Sequence, residues 1–337
     1  MKRNPGLYRG LSALVIVTVV AISTVYAADL GARSVEMTYA CTVEEIPKGA
    51  QYIDLWIPVA QDTDGQTVTR AEAIWPNGGT FQTEPEYGNR VYHKRFEAPF
   101  DAKIGAELVF EIHRQEIRID EAKDLVDSTH AKQNDKMAAY LSANRLIPTD
   151  GRIDTIAKQL KLAEKTPIHA ARAIYDYLID EFNYNYKAEG AGEGDVLWAC
   201  DSKTGDCTDY HSMFLALCRN QGIPATHEFG FPIRTKKPSG TIPYYHCWAR
   251  FHVEGVGWIP IDASEADKHP ELLQYNFGSQ SQDLLKFING RDIVLAPPQQ
   301  GPPLNYFAHA YVEVDGKRHD EIVPIVTFRD LPGVDSD

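Results

Sequence analysis

Gly205-Asp206-Cys207-Thr208-Asp209-Tyr210-His211-Ser212-Met213-Phe214-Leu215-Ala216-Leu217-Cys218-Arg219-Asn220-Gln221-Gly222-Ile223-Pro224-Ala225 reads as one helix with a thiol in its first turn. Met213 and Leu217, and Phe214 and Cys218, recur at helical spacing. Gly222 followed by Pro224 supplies the stop, glycine just past the end and proline beyond it. Gly205 and Asp206 precede the helix, so Cys207 falls where unpaired backbone N–H groups and the helix dipole favour an anion. A thiol placed there can ionise near neutral pH, and the thiolate is the nucleophile. Its neighbours Asp206, Thr208 and Asp209 are polar, which sets Cys207 apart from the apolar surroundings of a filler cysteine.

Downstream, Tyr244-Tyr245-His246-Cys247-Trp248-Ala249-Arg250-Phe251 alternates like a strand. Gly257-Trp258-Ile259-Pro260-Ile261-Asp262 is a second strand ending in an acid. Neighbouring strands lie about 5 Å apart, so His246 and Asp262 can meet across one ladder. Cys, His and Asp are what a thiol triad needs: a base within reach of the sulfur and a carboxylate that fixes the base's tautomer. On an alternating strand His246 and Trp248 share one face, and Tyr245 and Cys247 the other. His211 lies one turn after Cys207 and competes for the role of base. A side chain on the nucleophile's own helix is poorly aimed for proton transfer, so His211 is read as pocket lining. Asp209 points elsewhere on the helix and is read as structural.

These blocks carry a resemblance. G-x-C-x-D-x-x-x-x-F-x-A-L-x-R-x-x-G-I-P-A, then H-x-W, then G-W-x-P-x-D resembles the transglutaminase-like superfamily over roughly residues 165–265. The resemblance implies a papain-like fold and thiol acyl transfer or hydrolysis. It makes Cys207 the nucleophile, His246 the base and Asp262 the group that orients it. Asp262-Ala263-Ser264-Glu265-Ala266, Gly290-Arg291-Asp292-Ile293 and Pro303-Leu304-Asn305-Tyr306-Phe307 resemble a bacterial exported subgroup. Oxyanion donors are expected at the Cys207 backbone N–H and, as in some relatives, at a tryptophan indole. Trp198 is the candidate, with Trp248 and His211 as further lining.

The first 27 residues read as a secretory leader: Lys2, Arg3 and Arg9, an apolar run from Leu11 to Val25, and a small-residue cut at Val25-Tyr26-Ala27. An uncleaved anchor is the alternative, although the apolar run is short for a span. An exported location, periplasmic or extracellular, follows, with no membrane span after cleavage. The formal charge is −13, and the three leader cations account for a further three units, leaving −16. Such a surface repels nucleic acid and anionic lipid. Five cysteines in an exported chain fit one reactive thiol with up to two bridges, or one with several buried thiols. Cys218, on an apolar helix face, reads as inert core.

Four segments are expected: the leader (1–27), a β-sandwich (28–120), a helical connector (121–165) and a transglutaminase-like domain with a C-terminal strand extension (166–337). The fold class is α+β, the sandwich preceding a papain-like catalytic domain. Val35, Met37, Tyr39 and Cys41 alternate in the first unit, and Asp62-Thr63-Asp64-Gly65 reads as a hairpin turn, since a calcium loop's other ligands are missing. Thr166-Pro167 opens a helix with an Ala171, Ile174, Leu178, Phe182 stripe. Arg234, Lys236, Lys237, Pro238 and Gly240 form a basic loop, read either as a gate or as a long hairpin connection. Asp315-Gly316 signals a late hairpin.

No H-E-x-x-H, C-x-x-C, phosphate loop or Gly-x-Ser-x-Gly occurs. Neither a metal nor a cofactor is expected. The expected partner is a peptide, protein or small amide substrate, cell-envelope material included. Three readings stand: a hydrolase, in which water resolves the thioester; a transglutaminase, in which an amine does; and a non-catalytic envelope module with a vestigial triad.

Overall fold

The computed structural model describes residues 30–119, 137–233 and 236–332. The leader, the start of the connector and Arg234 lie outside the described residues. In chain order, β1 (Ala32–Val43), β2 (Tyr52–Pro58), β3 (Gln66–Trp75), β4 (Thr80–Thr83), β5 (Arg90–Glu97), β6 (Ile104–Gln115) and β7 (Ile117–Arg118) come first. Helices α1 (Ala138–Leu141), α2 (Arg152–Gln159) and α3 (Pro167–Glu181) follow, then β8 (Asn183–Tyr184), α4 (Val196–Ser202), β9 (Thr204–Gly205) and α5 (Cys207–Asn220). Next come β10 (Ala225–Pro232), β11 (Ser239–Thr241), β12 (His246–Val253), β13 (Gly257–Ile261), α6 (Ala263–Lys268), β14 (Ser279–Gln280) and β15 (Leu284–Asn289). The chain closes with β16 (Tyr311–Val314), β17 (Lys317–Arg318) and β18 (Ile322–Asp330).

Alternation decides the first layer. Val35, Met37, Tyr39, Cys41 and Val43 all point inward from β1 and are buried, as a half-buried strand requires. Two five-stranded sheets, β11-β18-β1-β6-β3 and β17-β16-β2-β5-β4, face one another around this core. The sandwich therefore exists, but residues 28–120 do not complete it. β18 pairs antiparallel along β1, with Met37 opposite Phe328 and Tyr39 opposite Val326. β16 pairs with β2, Trp56 opposite Tyr311. The C-terminal strands expected as an extension of the catalytic domain lie inside the N-terminal sheets instead. The physical reason is that β1 and β2 would otherwise present open edges whose backbone N–H and C=O groups need partners. Asp315 and Gly316, both at positive φ, turn β16 into β17 as the hairpin signal anticipates.

The second unit is an antiparallel sheet, β13-β12-β10-β15, with helices against one face. α5 is buried from Cys207 to Arg219 because α2, α3 and α4 surround it and β10 and β12 lie beneath it. Met213, Phe214, Leu215 and Leu217 anchor this core, each buried side chain of this kind contributing about 1.5–3 kcal/mol. Ile153, Ile156, Ala157 and Leu162 belong to it too. The end of the expected connector is thus part of the catalytic unit, since α2 buries its apolar face against α5 and the turn carrying Leu162. Thr166 precedes Pro167 as the N-cap residue, but its hydroxyl meets His169 rather than a helix N–H.

Side-chain ties join the two units. Arg114 donates to the Leu284 carbonyl and to Gln280, and Arg250 pairs with Asp64 in the β3 turn. The basic loop is stapled to the sandwich: Ser239–Thr241 adds a strand to β18, and Arg33 donates to the Ile233 and Lys237 carbonyls.

Candidate active site

Gly205 sets up the first turn of α5. Its φ is +152°, and an added Cβ would lie 2.4 Å from an Asp209 carboxylate oxygen, so only glycine fits. Asp206 is the N-cap: its carboxylate accepts from the Thr208 N–H at 2.7 Å, and Asp209 answers the Asp206 N–H at 2.9 Å. This capping box satisfies the orphan donors of Asp206 and Thr208 and leaves the Cys207 N–H outside the exchange. Asp209 also accepts from Gly192 and Gly194, fixing the loop over the helix end. Its structural role accords with the reading of its position.

His246 begins β12 and Asp262 follows β13, so the ladder brings the acid beside the imidazole. Nε2 of His246 lies 2.6 Å from Asp262 Oδ2, which leaves Nδ1 as the ring nitrogen available to Cys207, whose charge helps raise the imidazole's pKa. Asp262 is itself held, accepting from the Ser264 hydroxyl and the Glu265 N–H, both at 2.9 Å. The structure therefore fixes Asp262 against His246, with Cys207 close enough for the imidazole to act on its charge.

The electrostatics favour charge separation. The Cys247 thiol donates to the Cys207 sulfur, and His246 bonds and pairs with it; against burial, these hold the Cys207 thiol well below the ordinary range. Burial opposes a charged His246, yet the Asp262 charge and both hydrogen bonds push its pKa up to about 9. Burial likewise opposes an ionised Asp262, and His246 more than offsets it, leaving the carboxyl well below the usual carboxylate range. Asp206 moves the other way, pushed up to about 7 by burial, the Cys207 charge and Asp209.

His211 is buried beside the relay without joining it. Its Nε2 accepts the Ala263 N–H at 3.2 Å and sits 3.6 Å from Asp262 Oδ1. Nδ1 therefore carries the proton, and burial holds the ring neutral. Trp248 lies tilted beside the His246 ring, centroids 6.1 Å apart, but its indole N–H is spent on Glu228 at 2.6 Å. Glu228 in turn pairs with Lys286 and Arg250. Trp198 lies on α4 with its indole against Gly190. Among the described residues neither indole N–H is hydrogen-bonded to Cys207.

Cys247 is the residue the sequence reading passed over. The alternation was legible, but the face opposite His246 looks onto α5. There the Cys247 sulfur lies 3.8 Å from both Thr208 Oγ1 and His211 Nδ1. Arg291 was noted only as a motif letter. It is buried and donates to Ser212 at 2.7 Å, to the Glu193 and Asn305 carbonyls, and to His227 Nδ1 at 3.4 Å. It clamps the loop that Asp209 holds from the other side. All five cysteines are free and buried.

Two groups have ligand atoms close enough to share an ion: His211, His227 and Cys247, and His246, Asp262 and Glu265. In the first, Nδ1 of His211 carries a proton and Arg291 faces His227. In the second, the Nε2 of His246 and Asp262 are already bonded and Glu265 pairs with Lys268. A cavity of about 400 Å³ adjoins the relay, lined by Asp262, Trp248, Lys236, Asn276 and Gln280 among others. Neither Cys207 nor His246 lines it, so it lies behind the relay rather than around the sulfur.

Residues 154–263 match the sequence model of the transglutaminase-like superfamily. The "putative cysteine protease" of Cytophaga hutchinsonii overlays with a TM-score of 0.59 at 16% identity, covering 91% of this chain and 92% of that one. The chain carries a transglutaminase-like domain. A Haemophilus influenzae protein described as uncharacterized is 25% identical over 313 residues, 80% of this chain and 83% of the relative. The periplasmic domain of TgpA from Pseudomonas aeruginosa, bound to ethylmercury, overlays with a TM-score of 0.39 at 15% identity, covering 72% of this chain and 92% of that one. The transglutaminase-like domain thus spans α2 through the start of α6, taking in Cys207, His246 and Asp262. The sandwich lies outside the matched residues.

Proposed function

We propose that this chain is an exported thiol hydrolase that cleaves an amide or peptide bond through a thioester on Cys207. The observation that supports the reading most is the 2.6 Å bond from His246 Nε2 to Asp262, beside a Cys207 in the first turn of α5 whose thiol His246 helps hold well below the ordinary range. Cys207 attacks the carbonyl as a thiolate. The Cys207 N–H, free of the capping box, is the natural donor to the oxyanion. The His246 imidazolium gives its Nδ1 proton to the leaving amine, and the thioester forms as the C–N bond breaks. Neutral His246 then takes a proton from water, which attacks the thioester, releasing the acid and regenerating the thiolate. Asp262 keeps the Nε2 proton in place throughout.

The proposed substrates are peptides, proteins or small amides, cell-envelope material among them. Export is supported by the leader pattern of residues 1–27; among the described residues no helix is long and apolar enough to cross a membrane. The test offers a glutamine-bearing peptide and a labelled primary amine together. Free acid and ammonia, with the label left in solution and all product lost in Cys207→Ala, are expected. Label captured on the peptide without free acid would make the domain a transglutaminase. Absence of any acyl-enzyme mass on Cys207 across peptide and envelope substrates would leave a binding module.

A further inference from the structure

The hydrolytic cycle makes no use of the cavity of about 400 Å³ that adjoins Asp262. It lies where the catalytic unit meets the sandwich: Gln280 in its wall accepts from Arg114, and Asp283 pairs with Arg33. Trp248, Ile261, Leu272 and Leu284 give it apolar walls. The Trp248 indole N–H is already bonded to Glu228, so Trp248 offers the cavity apolar surface alone. The volume falls in the range of small-molecule sites, about 300–1,000 Å³, and apolar walls with a few convergent polar groups are the form such sites take.

The polar groups of this wall are unevenly matched. Each carboxylate has a partner: Asp262 has His246, Glu265 has Lys268 and Asp283 has Arg33. The amide donors are not so placed. Gln280 is 4% exposed, and Arg114 fixes its orientation by holding Oε1 at 2.7 Å, which leaves Nε2 without a hydrogen-bond partner. Asn276 is 7% exposed, and its Nδ2 has no partner either. Buried donors are ordinarily satisfied, so this pair calls for an acceptor from outside the chain. Lys236 adds an exposed ammonium with no ion-pair partner among the described residues. Water satisfies amides, but it needs neither an apolar wall nor a cation.

We propose that this cavity binds a small organic acid with an apolar body, at a site separate from the Cys207 sulfur. The carboxylate accepts from the Asn276 and Gln280 amides and faces Lys236, while the body lies along Trp248, Leu272 and Leu284. A carboxylate offers about four lone-pair sites, enough for all three donors; an alcohol of the same shape offers two and no charge. The site is tied to the relay, since the Asn276 carbonyl accepts the Asp262 N–H at 2.9 Å. It does not depend on Cys207 being a nucleophile.

The test is isothermal titration of the full chain at pH 7 with 4-phenylbutyrate, octanoate and N-acetylphenylalanine, each beside its matching primary alcohol. At least one acid should bind one-to-one, and about tenfold or more tightly than its alcohol, as hydrogen bonds to a charged group require. Lys236→Glu, at an exposed position, should weaken that acid about tenfold by setting like charges together. Asn276→Leu should weaken it too, and Lys236→Glu decides the matter should that variant not fold. Alkylation of Cys207 with iodoacetamide should leave the affinity unchanged. Absence of binding by all three acids, equal binding of acid and alcohol, or an affinity indifferent to Lys236→Glu overturns the proposal. Binding lost on Cys207 alkylation would put the acid in the substrate cleft and overturn the separate site, with the hydrolase reading left standing.

Discussion

Asp262 acts on the sulfur only through His246, so its removal should alter rate more than fold. Asp262→Asn keeps an oxygen for the Glu265 N–H but offers His246 the wrong tautomer. Turnover should fall on the order of 10⁴-fold, with a change in Tm of only a few degrees. The pH profile follows from the same pair. Because the imidazolium must protonate the leaving amine, kcat/KM should decline above about pH 9, where His246 loses its proton. Stability obeys the matching signs. A raised His246 stabilises fully below about pH 6.5, its unfolded value, and that contribution is lost as pH rises through about 9. A depressed Asp262 stabilises above about pH 3.9 and its contribution is lost on acidification. Denaturant midpoints should therefore plateau between about pH 4 and pH 6.5 and drop on both sides, on the alkaline side as pH rises towards about 9. Asp206 opposes the thiolate while capping its helix. Asp206→Asn retains the cap and removes the charge, so the midpoint of Cys207 alkylation should move to lower pH; an upward move would contradict the assignment. At this scale the three relay residues were legible, because each sits in a short pattern with its own local cause. Cys247 and Arg291 were not, since their importance comes from which element lies opposite, and no local pattern encodes that.

Helix α5 illustrates how far a periodic reading reaches. Met213, Phe214, Leu217 and Cys218 announce a helix with one apolar face, yet the element is buried on every side. The polar members, Thr208, Asp209, His211, Ser212 and Arg219, are interior because each finds a partner: a loop, a strand or a carbonyl. A period shows which side chains share a face and is silent on how many neighbours surround the helix. The helix start is the sensitive point. Gly205→Ala should push the Asp209 carboxylate aside, lowering stability by about 1–3 kcal/mol and slowing Cys207 labelling together, as read by thermal melting and alkylation. A variant with normal labelling and an unchanged melt would show that the capping box does not depend on Gly205. The basic loop near Lys236 resolves similarly: its β11 pairing to β18 makes it a fixed strap, a pairing invisible in a run of Pro, Gly and Lys.

On the scale of the whole molecule, the strands were legible and their partners were not. Alternation identifies β1 and β18 separately, but nothing in either says that residue 37 meets residue 328; strand pairing is non-local, whereas helix periodicity is local. Division at residue 120 therefore cuts through both sandwich sheets. A fragment of residues 30–119 should fail to fold, giving collapsed amide dispersion, and should recover structure only when residues 308–332 are supplied. A folded, cooperative 30–119 fragment would show that β16 and β18 are dispensable. The sandwich also holds the catalytic unit through Arg114, Arg250 and the strap, so one cooperative unfolding transition is expected for the whole chain.

Every scale converges on the ionised sulfur of Cys207. The rate of iodoacetamide modification, followed against pH on the intact chain with the labelled peptide identified by mass, reads it directly. Labelling confined to Cys207 and already rapid at pH 6, and strongly slowed there in His246→Ala, is the predicted result. A sulfur that reacts only above about pH 8.5, the value of a free thiol, and at the same rate in His246→Ala, would contradict the account.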